Sequence, residues 1–116
     1  MLTREAGEAF VTRWIDAWNR HDLEAVMAMV APDVEFVSPF VVTMYDEPSG
    51  VLRGREALEG WFGAALRLPD FHIEPPLHVL VAVDTVCLVE RINGTVAANV
   101  FTLDDEGRVV RSVVHG

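Results

Sequence analysis

Val86-Cys87-Leu88-Val89-Glu90-Arg91-Ile92-Asn93-Gly94-Thr95-Val96-Ala97-Ala98-Asn99-Val100-Phe101-Thr102-Leu103 is two apolar, β-branched runs joined by Asn-Gly. Asn-Gly in that setting is the strongest short signal for a two-residue hairpin loop, because both loop positions need positive φ. The loop fixes the register. Ile92 pairs with Thr95, Glu90 with Ala97, Leu88 with Asn99 and Val86 with Phe101. One face then carries Val86, Leu88, Glu90, Ile92, Thr95, Ala97, Asn99, Phe101 and Leu103. The other carries Cys87, Val89, Arg91, Val96, Ala98, Val100 and Thr102. Both faces are substantially apolar, unlike a sheet with water on one side. Helices can cover only one, so the other is expected to meet a second copy in a homodimer packed sheet to sheet.

Outward from the hairpin the chain continues as strand. Segments near 71–74, 77–83 and 108–115 are set off by Pro75-Pro76, Asp84-Thr85 and Asp104-Asp105-Glu106-Gly107. A four-residue loop at 104–107 places Ser112 opposite Asn99. The first half reads differently. Phe10, Trp14 and Trp18 recur every four residues and predict a helix from about Thr3, its N-cap, to Asn19. Asp22 caps a short second helix with Leu23, Val26, Met27 and Val30, which Pro32 stops. Val34 to Ser38 alternates as a strand, Pro39 to Gly50 reads as a loop, and Arg55 to Leu66 is a third helix carrying Trp61 and Phe62. Helices followed by a meander predict an α+β domain, an antiparallel sheet with helices packed on one face.

The 116 residues suit one domain, residues 1–116, and 51% hydrophobic residues supply a real core. A formal charge of −9, from 18 acidic and 9 basic side chains, repels phosphate backbones and anionic lipid. Neither nucleic acid nor a membrane is an expected partner. No apolar run approaches the roughly 20 residues that cross a bilayer. The first residues lack the layout of a secretory signal, and Cys87 stands alone, so a cytoplasmic location is expected. Phosphate-loop, dinucleotide, nucleophile-elbow and Cys-x-x-Cys patterns are absent. His21, His72, His78 and His115 do not stand at metal-ligand spacings. No cofactor and no metal are expected.

The order of elements carries a resemblance. Arg13-Trp14-Ile15-Asp16-Ala17-Trp18-Asn19 is followed by His21-Asp22-Leu23, Ala31-Pro32-Asp33-Val34 and Ser38-Pro39. Gly50-Val51-Leu52-Arg53-Gly54-Arg55-Glu56-Ala57-Leu58 and Asp105-Glu106-Gly107-Arg108-Val109-Val110 complete it. Together they resemble the NTF2-like superfamily and its SnoaL-like and ketosteroid-isomerase-like members over essentially the whole chain. The resemblance implies a cone, with a curved sheet closed by three helices on its concave face around one apolar pocket. Ketosteroid isomerases use a tyrosine on the first helix, an aspartate base before a proline, and a protonated aspartate on a late strand. The corresponding positions here are Trp14, Ser38 and Asn99, and all three depart from that pattern. An epoxide-hydrolase set of Asp, Arg and Asp is not found.

The candidate site follows from these positions. Asn99 and the Trp14 indole offer N–H donors to a carbonyl oxygen. Glu90 shares the Asn99 face, where an apolar pocket raises its pKa and lets it move a proton. Its alternative is a strand-end carboxylate paired with a surface cation. Asn99 has an alternative too, as a core amide bonded to Ser112 or a backbone carbonyl. Trp14, Trp18, Ser38, Phe62, Leu88, Phe101 and Ser112 are the expected pocket wall. The expected partner is a small apolar molecule bearing one oxygen, with isomerase- or cyclase-type proton transfer as its chemistry. The alternative is a non-catalytic dimerisation module whose cone is filled by the same aromatic residues.

Overall fold

The hairpin forms in the predicted register. The computed structural model describes all residues, Met1–Gly116. It pairs Ile92 with Thr95, Glu90 with Ala97, Leu88 with Asn99 and Val86 with Phe101. Asn93 and Gly94 take φ of 50° and 85°, the left-handed pair that the tight turn demands.

Four helices and six strands follow in chain order: α1 Arg4–Asn19, α2 Leu23–Ala28, β1 Val30–Val37, α3 Pro39–Met44, β2 Val51–Arg53, α4 Arg55–Leu66, β3 His78–Val81, β4 Thr85–Ile92, β5 Thr95–Leu103 and β6 Val109–His115. One sheet holds all six strands in the order β2-β1-β6-β5-β4-β3. The fold is the expected α+β cone. Its sheet is mixed rather than wholly antiparallel, because β1 lies parallel to β6.

The helix ends are set by local chemistry. Thr3 accepts a hydrogen bond from the Ala6 amide at 3.0 Å, and Asp22 accepts one from the Ala25 amide at 3.0 Å. Pro32 does not stop α2, which ends at Ala28; it lies inside β1, beside the irregular pairing with β6 between Val30 and Glu35. A proline is accommodated where a ladder bond is already missing. The stretch expected to be a loop contains α3. Ser38 caps it by accepting from the Phe40 amide at 3.2 Å, and Pro39 stands in its first turn, where no N–H is needed. The 71–74 segment is not a strand; only Ile73 bridges to Ile92.

The core lies between the helices and the concave sheet face. Phe10, Trp14 and Trp18 of α1 are all nearly fully buried, as the four-residue spacing requires. Phe10 meets Phe101 edge-on at 4.9 Å, and Trp14 meets Phe101 at the same distance. Gly7 lets α1 approach β3, since a Cβ there would lie 2.6 Å from the Val81 side chain. No helix is long and apolar enough to cross a membrane.

Candidate functional site

The aromatic stripe of α1 does not pack uniformly on the sheet. Toward Phe10 the interior is solid. Toward Trp18 the walls diverge and leave a cavity of about 380 Å³, within the usual range for small-molecule sites. Trp14 and Trp18 of α1 and Trp61 and Phe62 of α4 form one side. Glu90, Ile92, Thr95, Ala97 and Asn99 of the hairpin form the other. Ser38 and Phe40 close the β1–α3 corner, and Phe71 and Ile73 come from the crossover between α4 and β3.

Only four lining residues carry polar side chains apart from the indoles: Ser38, Glu90, Thr95 and Asn99. Glu90 is 2% exposed and makes no salt bridge or side-chain hydrogen bond; its Oε2 is enclosed without a partner. The pairing with a surface cation is therefore not what the strand end provides. Burial alone pushes the carboxyl up to about 7. The group sits poised to hold or release a proton near neutrality.

Asn99 combines its two expected roles. Its Oδ1 accepts a hydrogen bond from the Ser112 hydroxyl at 2.8 Å. That bond orients the amide so that its N–H₂ end is left for the cavity. Ser112 is not directly opposite Asn99. It pairs with Phe101, while Asn99 pairs with Val114, because the connecting loop runs over 104–108, one residue longer than expected, and a bulge between Thr102 and Leu103 adds a second offset. The two single offsets make an even step, so both side chains stay on one face and meet diagonally.

The structure thus brings together Glu90, Asn99, Trp14, Trp18, Ser38 and Phe62 around one space. Leu88 and Phe101, expected in the pocket wall, are fully buried behind it, and Ser112 also stands behind, supporting Asn99. The reason is α1: Phe10 and Trp14 press onto the inner half of the hairpin and seal it. Trp14 is wedged edge-on against Phe101 and Phe62, whereas the indole N–H enclosed without a partner belongs to Trp18. Ile92, Thr95 and Ala97 complete the hairpin's share of the wall and were already on the Glu90 face by alternation. Phe71 and Ile73 fall in the segment expected as a strand at 71–74; the crossover around Pro75 and Pro76 is neither helix nor strand, so alternation could not place them on the wall.

The crossover is held from α1. Asn19 grips the backbone of Ile73 at both ends, Nδ2 donating to its carbonyl and its amide donating to Oδ1, each at 2.8 Å. His21, at φ 54°, places Nδ1 3.0 Å from the Leu66 carbonyl and Nε2 2.9 Å from the Phe71 carbonyl. Tyr45, expected in a solvated loop, ends α3 and stacks edge-on against Trp61 at 5.0 Å. His115 pairs with Ala98 and Cys87 with Val100, so both lie on the opposite sheet face. No three His, Cys, Asp or Glu side chains gather into a metal-binding group.

Comparison with known proteins bears on the fold and the family. A SnoaL-like protein of unknown function from Burkholderia thailandensis is 39% identical, with a TM-score of 0.93 over 97% of this chain and 95% of that one. A putative polyketide cyclase from Sinorhizobium meliloti shares 22% identity at a TM-score of 0.74, covering 92% of this chain and 94% of that one. A putative ketosteroid isomerase from Kribbella flavida shares 19% at 0.72, covering 95% and 76%. At those identities the last two show the fold alone. No curated protein matches the sequence. The SnoaL-like domain profile matches residues 11–115, nearly the whole chain. The chain belongs to the SnoaL-like domain family.

Proposed function

We propose that this protein binds a small apolar molecule bearing a carbonyl oxygen and moves a proton on the carbon next to it, without a cofactor. One observation carries the reading: Glu90 is the only ionisable residue lining an apolar cavity and is held near neutrality by burial, diagonal to an amide whose donor end is free. The Asn99 N–H₂ group donates to the ligand's carbonyl oxygen. The Glu90 carboxylate takes a proton from the adjacent carbon, the C–H electrons pass into the C–C bond, and the carbonyl electrons move onto oxygen. The resulting enolate is stabilised by the Asn99 donor. Glu90 then returns the proton to the same carbon or to a conjugated one, which completes exchange or isomerisation.

The test uses α-tetralone, a bicyclic ketone of a size suited to the cavity. Binding is read as a rise in melting temperature, and proton transfer as loss of the α-proton NMR signal in deuterium oxide. Glu90→Gln is expected to slow exchange by about 10²-fold or more while binding persists. Exchange at the wild-type rate in that variant removes Glu90 from the chemistry. A flat thermal response across apolar ketones, lactones and steroids would restore the alternative of a filled, non-catalytic module.

We also propose a homodimer through the sheet face away from the helices. Leu80 and Val96 are 58% and 48% exposed there, flanked by the half-buried Cys87, Val89 and Val100. Val96→Lys, in a spot that faces away from the cavity, should convert a dimer to a monomer by size-exclusion chromatography with light scattering. A monomeric wild type would refute the pairing.

A further inference from the structure

His21 stands in the turn between α1 and α2 at φ 54°, its amide donating to the Trp18 carbonyl at 2.9 Å. Left-handed backbone strains a non-glycine residue and would not strain glycine, so the turn alone does not call for a histidine. The half-buried ring accounts for it. Nδ1 lies 3.0 Å from the Leu66 carbonyl and Nε2 2.9 Å from the Phe71 carbonyl. No other donor reaches either oxygen. Leu66 ends α4, where carbonyls have no partner inside the helix, and Phe71 lies in the crossover. Both tied segments are cavity wall: α4 contributes Phe62 and Ala65, and the crossover contributes Phe71 and Ile73.

A carbonyl oxygen only accepts, so both ring nitrogens must donate to make both bonds. A neutral imidazole carries one N–H and one lone pair, and only the doubly protonated ring meets this geometry. Loss of one proton sets a lone pair against a carbonyl, and one of the two bonds goes. The charged groups bordering the ring do not compete for it. Asp22 pairs with Arg20 at 3.1 Å and accepts from the Ala25 amide. Glu24 of α2, Arg67 after α4, and Asp70 and His72 of the crossover are all exposed, and none forms an ion pair with the ring.

We infer that His21, with both ring nitrogens protonated, is a positioning residue for the cavity: it ties the end of α4 to the crossover and holds Phe71 as a wall against the ligand. The inference rests on the proposed function, which seats a ketone in this cavity. Phe71 packs on Trp18 with ring centroids 5.0 Å apart, so the staple also fixes the far side of the Trp18 ring. When the ring loses a proton the loop at 67–70 is tied at one end only, and the Phe71 wall gives way. Proton exchange on the ligand then needs Glu90 ionised and His21 protonated, so its rate passes through a maximum with pH.

Long-range proton–nitrogen NMR of the His21 imidazole reads the protonation of each nitrogen directly. The dissociation constant of α-tetralone is followed over the same pH range in the Glu90→Gln protein, where that carboxyl no longer titrates. Both nitrogens should be protonated where binding is tightest. Affinity should fall about five- to tenfold as the ring loses a proton, with one midpoint for both measurements. His21→Asn, a residue that tolerates positive φ, should show the weaker affinity at every pH. A histidine needed only for folding would lower stability and leave the affinity of the folded protein independent of pH. One unprotonated nitrogen where binding is tightest, or an affinity that does not follow the ring, overturns the inference, and neither result needs the His21 variant. A pH dependence that survives His21→Asn also overturns it. In these cases ketone binding itself still stands. Failure of α-tetralone to bind at any pH overturns both readings.

Discussion

The two halves of one hairpin face have opposite fates. Val86, Leu88 and Phe101 at the inner end are fully buried in solid core, whereas Glu90, Ala97 and Asn99 at the outer end line a cavity. The strands are the same and the alternation is unbroken. What changes is the opposing helix. Phe10 and Trp14 meet Phe101 at the inner end, while the Trp18 ring packs against Phe62 at 4.8 Å and Phe71 at 5.0 Å. A cavity therefore needs no special backbone. It needs one aromatic side chain that packs on other partners than the strands, and it permits polar residues where solid packing would not.

The most disruptive way to break this contrast is Phe101→Ala, which would open a void at the inner end. It should cost about 3–5 kcal/mol in urea unfolding, the usual range for a buried phenylalanine. A loss under about 1 kcal/mol would mean that the inner end is not solid.

Glu90→Gln sharpens the contrast from the other end. Burial lifts the Glu90 carboxyl from 4.5 to about 7, so the folded state holds a proton that the unfolded chain has released. Stability is then greatest below about 4.5 and falls as pH rises through about 7, after which the full cost remains. That span corresponds to roughly 3 kcal/mol. Glu90→Gln should flatten this component and raise stability by up to that amount at alkaline pH. A variant less stable than wild type above neutrality would contradict a carboxyl strained by burial.

Ser112→Ala leaves the Asn99 Oδ1 without its donor. It should cost about 1–2 kcal/mol and weaken ketone binding, because the amide is no longer held with its N–H₂ end toward the cavity. Unchanged ketone affinity would show that Asn99 is oriented by something else. Ser38→Ala is the mildest change. Removing the cap of α3 should lower stability by about 1 kcal/mol, and it leaves the inner end untouched.

Local chemistry made much of this readable from residues alone. Asn93-Gly94 dictated the pairing of Glu90 with Ala97 and Leu88 with Asn99, and the spacing of Phe10, Trp14 and Trp18 dictated α1. The parallel contact of β1 with β6 was not readable, because it joins residues far apart in sequence and no turn records it. The helix α3 hid in a stretch that also holds Pro48 and Gly50, although Ser38-Pro39 is a sound helix start. The displacement of Ser112 arose from a fifth loop residue together with a bulge, two insertions that cancel in the hydrophobic alternation and so leave no mark there. For the site, alternation placed Glu90 and Asn99 together but could not separate Leu88 and Phe101 from the true wall. That distinction depends on how far each α1 ring reaches, a property of packing rather than of periodicity.

The side chain of Asn19 stands in for a missing strand. Neighbours of Ile73 on either side bond to the hairpin, the His72 carbonyl accepting from the Asn93 amide of the turn and the Glu74 amide donating to the Arg91 carbonyl of β4, while Ile73 itself turns its N–H and C=O to a single amide. The crossover is thus fastened to the sheet by few backbone bonds and to the end of α1 by the side chains of Asn19 and His21, so it can detach without unravelling β4 and β5. In hydrogen-exchange measurements the Ile73 amide should be protected but exchange well before those of Leu88 and Phe101. A ligand seated against Phe71 and Ile73 should slow that exchange, which makes one amide outside the regular strands a reporter of occupancy.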